Sequence, residues 1–107
     1  MYTLQDIESM LNMEYYDNEA KSKYAVCRMM YRLYMLQTDS ERISRNTKFE
    51  NGVGFNKIDA DFLTGLTKLY IDKEMDYKIF TSKQFEAINK TIKKYKKQLL
   101  LIANGEL

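Results

Sequence analysis

The stretch from Ser82 to Ala103 carries the pattern that most restricts how this chain can fold. Its apolar residues are separated alternately by three and four positions, the spacing of one buried face of an α-helix. These residues are Phe85, Ile88, Ile92, Tyr95, Leu99 and Ile102. Thr81 and Gln84 can form a capping box at the start, and Asn104-Gly105 provides a left-handed stop. The pattern therefore predicts a capped helix of about six turns.

Another face of this predicted helix is basic. The segment from Lys83 to Lys97 contains six lysines and one acid, Glu86, which gives it a net charge of +5. The lysines are Lys83, Lys90, Lys93, Lys94, Lys96 and Lys97. A neutral solvated face would place glutamates one turn from the lysines. The imbalance favours an anionic partner, either the phosphates of a nucleic acid or an acidic protein surface, with plain solvation as the third alternative.

Composition limits both the fold and the chemistry. A chain of 107 residues can bury one core without disulfides, and the absence of proline favours long helices. The formal net charge is only +2, so positive charge is a local property of the last helix. Because there is no histidine and only one cysteine, Cys27, zinc sites and histidine-dependent nucleophilic catalysis are excluded. Cys27 lies in an apolar helical pattern and is expected to be a buried, inert thiol.

Carboxylates and glycines give only weak indications of an enzyme. Asp72, Glu74 and Asp76 alternate along the chain, as ligands of a divalent ion would on an extended segment, but solvated charges between helices are commoner. Gly52-Val53-Gly54 is a fragment of a phosphate-binding loop and lacks the Lys-Ser/Thr that such a loop requires. We therefore expect a protein without catalytic residues, cofactor or metal site. A magnesium-dependent nuclease is the least favoured of the three functions considered for this chain.

Two helices are predicted in the first third of the chain. The first runs from Leu4 to about Tyr15, with Thr3 as its cap. The second runs from about Glu19 to Gln37, with Asn18 as its cap. Both predictions rest on apolar residues at helical spacing that follow a good capping residue.

The middle of the second helix, Ala25 to Leu36, is apolar almost all round. Such a helix either lies at the centre of the core or is covered on one side by a second copy of the chain, so a homodimer is one of two alternatives. The pattern is broken only by Arg28 and Arg32, which are one turn apart and share a face. They form either a solvated strip or a second row of phosphate contacts.

The middle of the chain is predicted to be irregular from Thr38 to Asn56, and Asn51-Gly52 is a turn signal around which a short β-hairpin would fit. A third helix begins near Lys57 with Asn56 as its cap. Its inward residues are predicted to be Phe62, Leu66 and Leu69, flanked by Leu63 and Tyr70. Ile71 to Phe80 is then a charged connector. The sequence thus predicts a single all-α domain over residues 1–107, a compact bundle of four main helices.

The second half of the chain also resembles a known helical module. The matching positions are Asn51-x-x-Gly54-Phe55-Asn56-x-x-Asp59-Ala60-x-Phe62, then Thr81-x-Lys83-Gln84, then Lys94-Tyr95-x-x-Gln98-Leu99. Residues 51–107 thereby resemble a module of small phage and mobile-element proteins, which also occurs beside helicase-like, DNA-handling enzymes. The resemblance brings no catalytic residue with it. It implies a small phage protein that serves replication or inhibits a host defence.

These features lead to one functional prediction and one alternative. We expect a non-catalytic phage protein that binds RNA or DNA through the lysine-rich last helix. The predicted binding residues are Phe55, Asn56, Lys57, Lys83, Lys90, Lys93, Lys94, Lys96 and Lys97. Phe49, Phe55 and Tyr77 lie in segments predicted to be exposed, where their rings would offer stacking surfaces. The alternative is an inhibitor of a host defence enzyme, for example an anti-CRISPR protein, acting by protein–protein or RNA-mediated contact.

The expected location is the cytoplasm, which would be that of the host cell if the protein is phage-encoded. The first residues lack the basic start and apolar run of a signal peptide. No uncharged apolar run approaches the length of a membrane span, so no membrane partner is expected.

Overall fold

The computed structural model describes residues 1–37 and 54–106, and in these ranges all regular structure is helical. The helices are α1 (Leu4–Leu11), α2 (Glu19–Met35), α3 (Lys57–Asp72), α4 (Ser82–Ile92) and α5 (Lys96–Ala103). A 3-10 turn at Lys93–Tyr95 joins α4 directly to α5, and a second one covers Tyr77–Ile79. With α4 and α5 counted as one segment, this confirms the predicted compact all-α bundle of four main helices. Most of the predicted hairpin falls on residues 38–53, which lie outside the described residues.

Side-chain caps place the helix starts where the sequence predicts them. The Thr81 hydroxyl accepts a hydrogen bond from the Gln84 N–H at 3.1 Å, and the Gln84 side chain accepts one from the Thr81 N–H at 2.9 Å. Thr3 and Asp6 form the same reciprocal box at the start of α1. The predicted caps of α2 and α3, Asn18 and Asn56, are also confirmed. Each cap satisfies a backbone N–H group that the first helical turn leaves without a partner.

Helix α1 ends at Leu11, so the predicted end near Tyr15 is wrong. Met13 adopts a left-handed conformation with φ of +62°, and the Glu14 N–H donates to the Ser9 carbonyl at 2.8 Å. Together these features make a Schellman stop, in which the left-handed position usually holds glycine. Because this chain places methionine there, the sequence gives no signal for the stop. Helix α2 ends at Met35, two residues before the predicted Gln37.

Helix α2 lies at the centre of the core and packs against each of the other four helices. Val26, Cys27, Met30 and Leu33 of this helix are fully buried. The apolar residues of Ala25–Leu36 are thus explained largely by the core of one chain, and a homodimer through them stays a hypothesis. Cys27 is buried as predicted, and burial raises the pKa of its thiol to about 12.

The inward face of α3 is only partly the one predicted. Phe62 and Leu69 were expected inside but are 43% and 36% exposed. Leu63 and Tyr70, predicted at the flanks of the inward face, are fully buried, and Leu66 is partly buried against the core. Two threonines, Thr64 and Thr67, complete the buried face. The Thr67 hydroxyl donates to the Leu63 carbonyl at 2.7 Å, which satisfies its polar group inside the core. Apolar periodicity did not predict this face correctly because two threonines, which are not counted as apolar, occupy buried positions on it.

The last helical segment buries the predicted face, but it is not one uninterrupted α-helix. Of the predicted stripe, all residues from Phe85 to Leu99 are buried, and Ile102 is partly buried. The 3-10 turn at Lys93–Tyr95 follows Thr91, whose hydroxyl donates to the Ala87 carbonyl at 2.7 Å. A hydrogen bond from a threonine hydroxyl to the carbonyl one turn earlier often bends a helix. Here it lies close to Tyr95, whose hydroxyl bonds to Asp59 of α3.

Candidate nucleic-acid interface

Four of the predicted lysines form an exposed line along α4 and α5, which we call the basic stripe: Lys83, Lys90, Lys93 and Lys97. Three of them recur every seven residues, and Lys93 lies one turn from both Lys90 and Lys97. They therefore share the face opposite the buried residues, over a length of about 21 Å. None of the four forms an ion pair with a described residue. Glu86 lies on the same face.

The other two lysines predicted on the last helix are paired within the protein. The Lys94 Nζ lies 2.9 Å from Asp59 Oδ1, and the Lys96 Nζ lies 3.0 Å from Glu8 Oε1. Asp59 is only 6% exposed, so the Lys94 pair neutralises a nearly buried carboxylate. Both lysines lie on the flanks of the helix that face α3 and α1. They are therefore less available to an external phosphate than the basic stripe.

A small polar network holds the start of α3 against the 3-10 turn. The Tyr95 hydroxyl donates to Asp59 Oδ2 at 2.6 Å and accepts from the Asn56 N–H at 3.1 Å. Burial raises the pKa of Tyr95, and the hydrogen bond to Asp59 raises it further, so the phenol stays protonated. In the sequence, Asp59 is noted only as one position of the resemblance to a helical module. Its pairing with Tyr95 was missed because it joins residues 36 positions apart.

The residues just before α3 lie close to the last helix, as predicted. Gly54 exchanges hydrogen bonds with the Gln98 side chain in both directions. Phe55 is a core residue, 1% exposed, with its ring packed edge-to-face on Tyr95 at 6.2 Å between centroids. Its predicted exposure, and with it a stacking role, is therefore wrong. Asn56 is occupied as the α3 cap, whereas Lys57 is exposed at the first position of that helix.

Of the other two rings that were predicted to be exposed, the structure describes only Tyr77. Tyr77 is half-buried in the 3-10 turn after α3. Phe49 lies outside the described residues.

A groove that the sequence did not predict lies between α1, α2 and α5. It has a volume of about 720 Å³, and both Arg28 and Arg32 line it. The sequence offered two interpretations of these arginines, a solvated strip or a row of phosphate contacts. Arg32 is exposed, as in a solvated strip, whereas Arg28 is half-buried. The groove was missed because three helices far apart in the sequence form it.

The carboxylates considered as metal ligands do not converge. Asp72, Glu74 and Asp76 are all exposed. Among the described residues, no three His, Cys, Asp or Glu side chains lie close enough together to hold a metal ion. Within the same residues, no helix has both the length and the apolar character needed to cross a membrane.

Comparison with known proteins gives no relative from which a role could be transferred. The chain was compared with protein-family models, with curated proteins and with solved structures, and none of the three comparisons found a match.

Proposed function

We propose that this protein binds nucleic acid, without catalysis, through the basic stripe of α4 and α5. The observation that carries the proposal is that four exposed lysines share one helical face and lack a carboxylate partner among the described residues. Lysines in this arrangement neutralise phosphates and release counterions, which gives binding that depends on salt and little on sequence. Lys57, which is exposed at the start of α3, is a further candidate phosphate contact.

The two paired lysines support this assignment by contrast. Lys94 and Lys96 satisfy Asp59 and Glu8, so internal ion pairing accounts for them. Among the described residues, no such pairing accounts for the stripe. Its opposite side is fully committed to the core through residues such as Ile88 and Ile92. The final helix thus has one face that holds the fold and another that is free to contact phosphates.

The test is fluorescence anisotropy with labelled single-stranded DNA, double-stranded DNA and RNA over a salt series. Lys90→Glu/Lys97→Glu should weaken binding by at least tenfold. It should also reduce the slope of log affinity against log salt by about two, because two phosphate contacts are lost. The control is Lys73→Glu/Lys78→Glu, which changes the net charge equally at two exposed lysines outside the stripe.

Equal losses in the two double variants would show that net charge, not the stripe, governs binding. Absence of binding by the wild-type chain at low salt would reject the proposal. It would favour the alternative, an inhibitor of a host enzyme that acts by protein contact. The circular dichroism spectra of both variants should match the wild-type spectrum, because all four substituted lysines are exposed.

A further inference from the structure

The groove between α1, α2 and α5 has the dimensions of a binding site. Its volume of about 720 Å³ lies within the range of roughly 300–1,000 Å³ that is typical of ligand sites. Its floor is apolar and includes Ile7, Met10 and Leu99, which are 1%, 5% and 3% exposed. Along α2 it extends from Ala20 to Arg32, a distance of about 18 Å at the helical rise.

The charges that line the groove are all positive. Arg28 and Arg32 stand one turn apart on α2, and no Asp or Glu side chain is among the described lining residues. The Arg28 guanidinium lies over the Tyr31 ring at 5.2 Å and contacts the Met75 sulfur at 3.8 Å. Neither arginine forms an ion pair with a described residue. A third cation, Lys21, is paired with Asp17.

We propose that this groove binds an acidic amphipathic helix of a partner protein. The lining is rich in tyrosine, methionine and arginine, the side chains that protein interfaces favour at their cores. A length of about 18 Å matches three helical turns, whose apolar residues at i, i+3 and i+7 fit an apolar floor. Carboxylates on the flank of that helix would pair with Arg28 and Arg32, which are spaced at one helical turn themselves.

A protein helix fits this groove better than a nucleic acid does. Single-stranded nucleic acids use aromatic platforms on which bases stack. Tyrosines also line this groove, but its buried floor consists of Ile7, Met10 and Leu99, which suit the apolar side chains of a helix and offer no ring for stacking. The groove is also separate from the basic stripe. Leu99 lines the groove, and Lys97, two positions earlier, projects about 200° away around the helix axis. Binding of a helix in the groove therefore does not depend on binding of nucleic acid at the stripe.

The experiment uses the full 107-residue chain and a designed peptide as probe. The probe is a fluorescein-labelled helical peptide of about three turns, with leucine and phenylalanine on one face and glutamates on the flanks. A second peptide has every glutamate replaced by lysine. We expect the acidic peptide to bind at least tenfold more tightly than the basic one. In amide NMR spectra it should shift resonances of α1, of α5 and of the α2 segment from Ala20 to Arg32.

Charge reversal in the groove provides the specific test. Arg28→Glu/Arg32→Glu should weaken binding of the acidic peptide by at least tenfold and improve binding of the basic peptide. Because Arg28 is half-buried, Arg32→Glu alone is the second variant, and it should give a smaller change of the same sign. The matched control is Lys90→Glu/Lys97→Glu in the basic stripe, which should leave peptide affinity within about twofold, since these lysines lie far from Leu99 around the helix.

Three results would overturn the inference. The first is equal affinity for both peptides, or no binding of either at millimolar concentration. The second is the finding that a single-stranded oligonucleotide shifts the NMR resonances of the groove residues and displaces the acidic peptide. That finding would make the groove a nucleic-acid subsite. The third is sedimentation equilibrium that shows self-association blocked by Arg32→Glu, which would assign the groove to a second copy of this chain.

Discussion

The Tyr95 hydroxyl donates a hydrogen bond of 2.6 Å to the carboxylate of Asp59, and this contact joins the 3-10 turn of the last helical segment to the first turn of α3. Both residues are nearly buried, since Tyr95 is 5% exposed and Asp59 is 6% exposed. The same carboxylate accepts from Lys94, so one acidic side chain fixes two residues of the turn. Asp59 thereby assigns Lys94 to the fold, as Glu8 does Lys96, while the other four lysines of this segment have no ion pair among the described residues.

Removal of the Tyr95 hydroxyl should destabilise the protein. Tyr95→Phe leaves the Asn56 N–H without its acceptor and Asp59 without its closest donor, so we expect the free energy of unfolding to fall by about 1–3 kcal/mol. Urea unfolding followed by circular dichroism measures this change. Tyr24→Phe is the control, because Tyr24 is 52% exposed, and it should alter stability by less than about 0.5 kcal/mol. Equal stability of the two variants would contradict the network's role.

The same substitution should affect stability at Lys94 and nucleic-acid binding at Lys97. Lys94→Ala removes a partner of the nearly buried Asp59 and should lower the free energy of unfolding by about 1 kcal/mol. Lys97→Ala should leave stability unchanged and weaken nucleic-acid binding about threefold, because it removes one exposed cation. Unfolding curves and anisotropy titrations on both variants check this. A stability loss for Lys97→Ala instead would reverse the assigned roles.

The two buried threonines of α3 allow a matched comparison. The Thr64 hydroxyl has no hydrogen-bond partner among the described residues, whereas the Thr67 hydroxyl donates to the Leu63 carbonyl. Thr64→Val should therefore raise the free energy of unfolding by up to about 1 kcal/mol, and Thr67→Val should not raise it. Thermal unfolding of both variants gives the comparison. The idea fails if Thr64→Val is the more damaging substitution.

Gly54 should tolerate a side chain less well than Gly105. Both are left-handed, with φ of +78° and +74°, so alanine is strained at either position. At Gly54 an added Cβ would also collide with the Gln37 side chain, whose Oε1 accepts the Phe55 N–H at 3.1 Å. We expect Gly54→Ala to cost about 2–3 kcal/mol and Gly105→Ala about 1 kcal/mol, as measured by urea unfolding. Equal costs would mean that Gln37 moves aside without loss.

Stability should decrease in alkaline solution. Burial raises the pKa of Cys27 from 9.0 and that of Tyr70 from 10.0, each to about 12, and it also raises the pKa of Tyr95. The folded state therefore holds these protons more tightly than the unfolded chain does. Their contribution is complete below about pH 9 and is lost as the pH rises from there through about 12.

Unfolding by urea at several alkaline pH values, with tyrosinate absorbance as a second signal, tests this dependence. Cys27→Ala should remove the part of the decrease that begins at the lower pH, because the thiol has the lowest ordinary pKa of the three groups. Stability that is constant up to about pH 11 would contradict the burial of these groups.

The sequence by itself determined the four main helical segments and the residues at which they begin. Capping residues such as Thr3 and Thr81 act on backbone groups within three positions, so local chemistry is sufficient to place a helix start. The buried face from Phe85 to Leu99 follows from periodicity for the same reason. Local reasoning failed where the usual residue was replaced, as at the left-handed Met13, and where threonines stand inside α3.

Only the tertiary structure decided which charges remain free. Six lysines of one helix look equivalent in the sequence, yet Lys94 and Lys96 find carboxylates that lie 35 and 88 positions away. Phe55 became a core residue, and the groove beside Arg28 and Arg32 arose, because distant helices pack together. Partners so far apart along the chain have no fixed spacing, so their pairing exists only once the helices are packed.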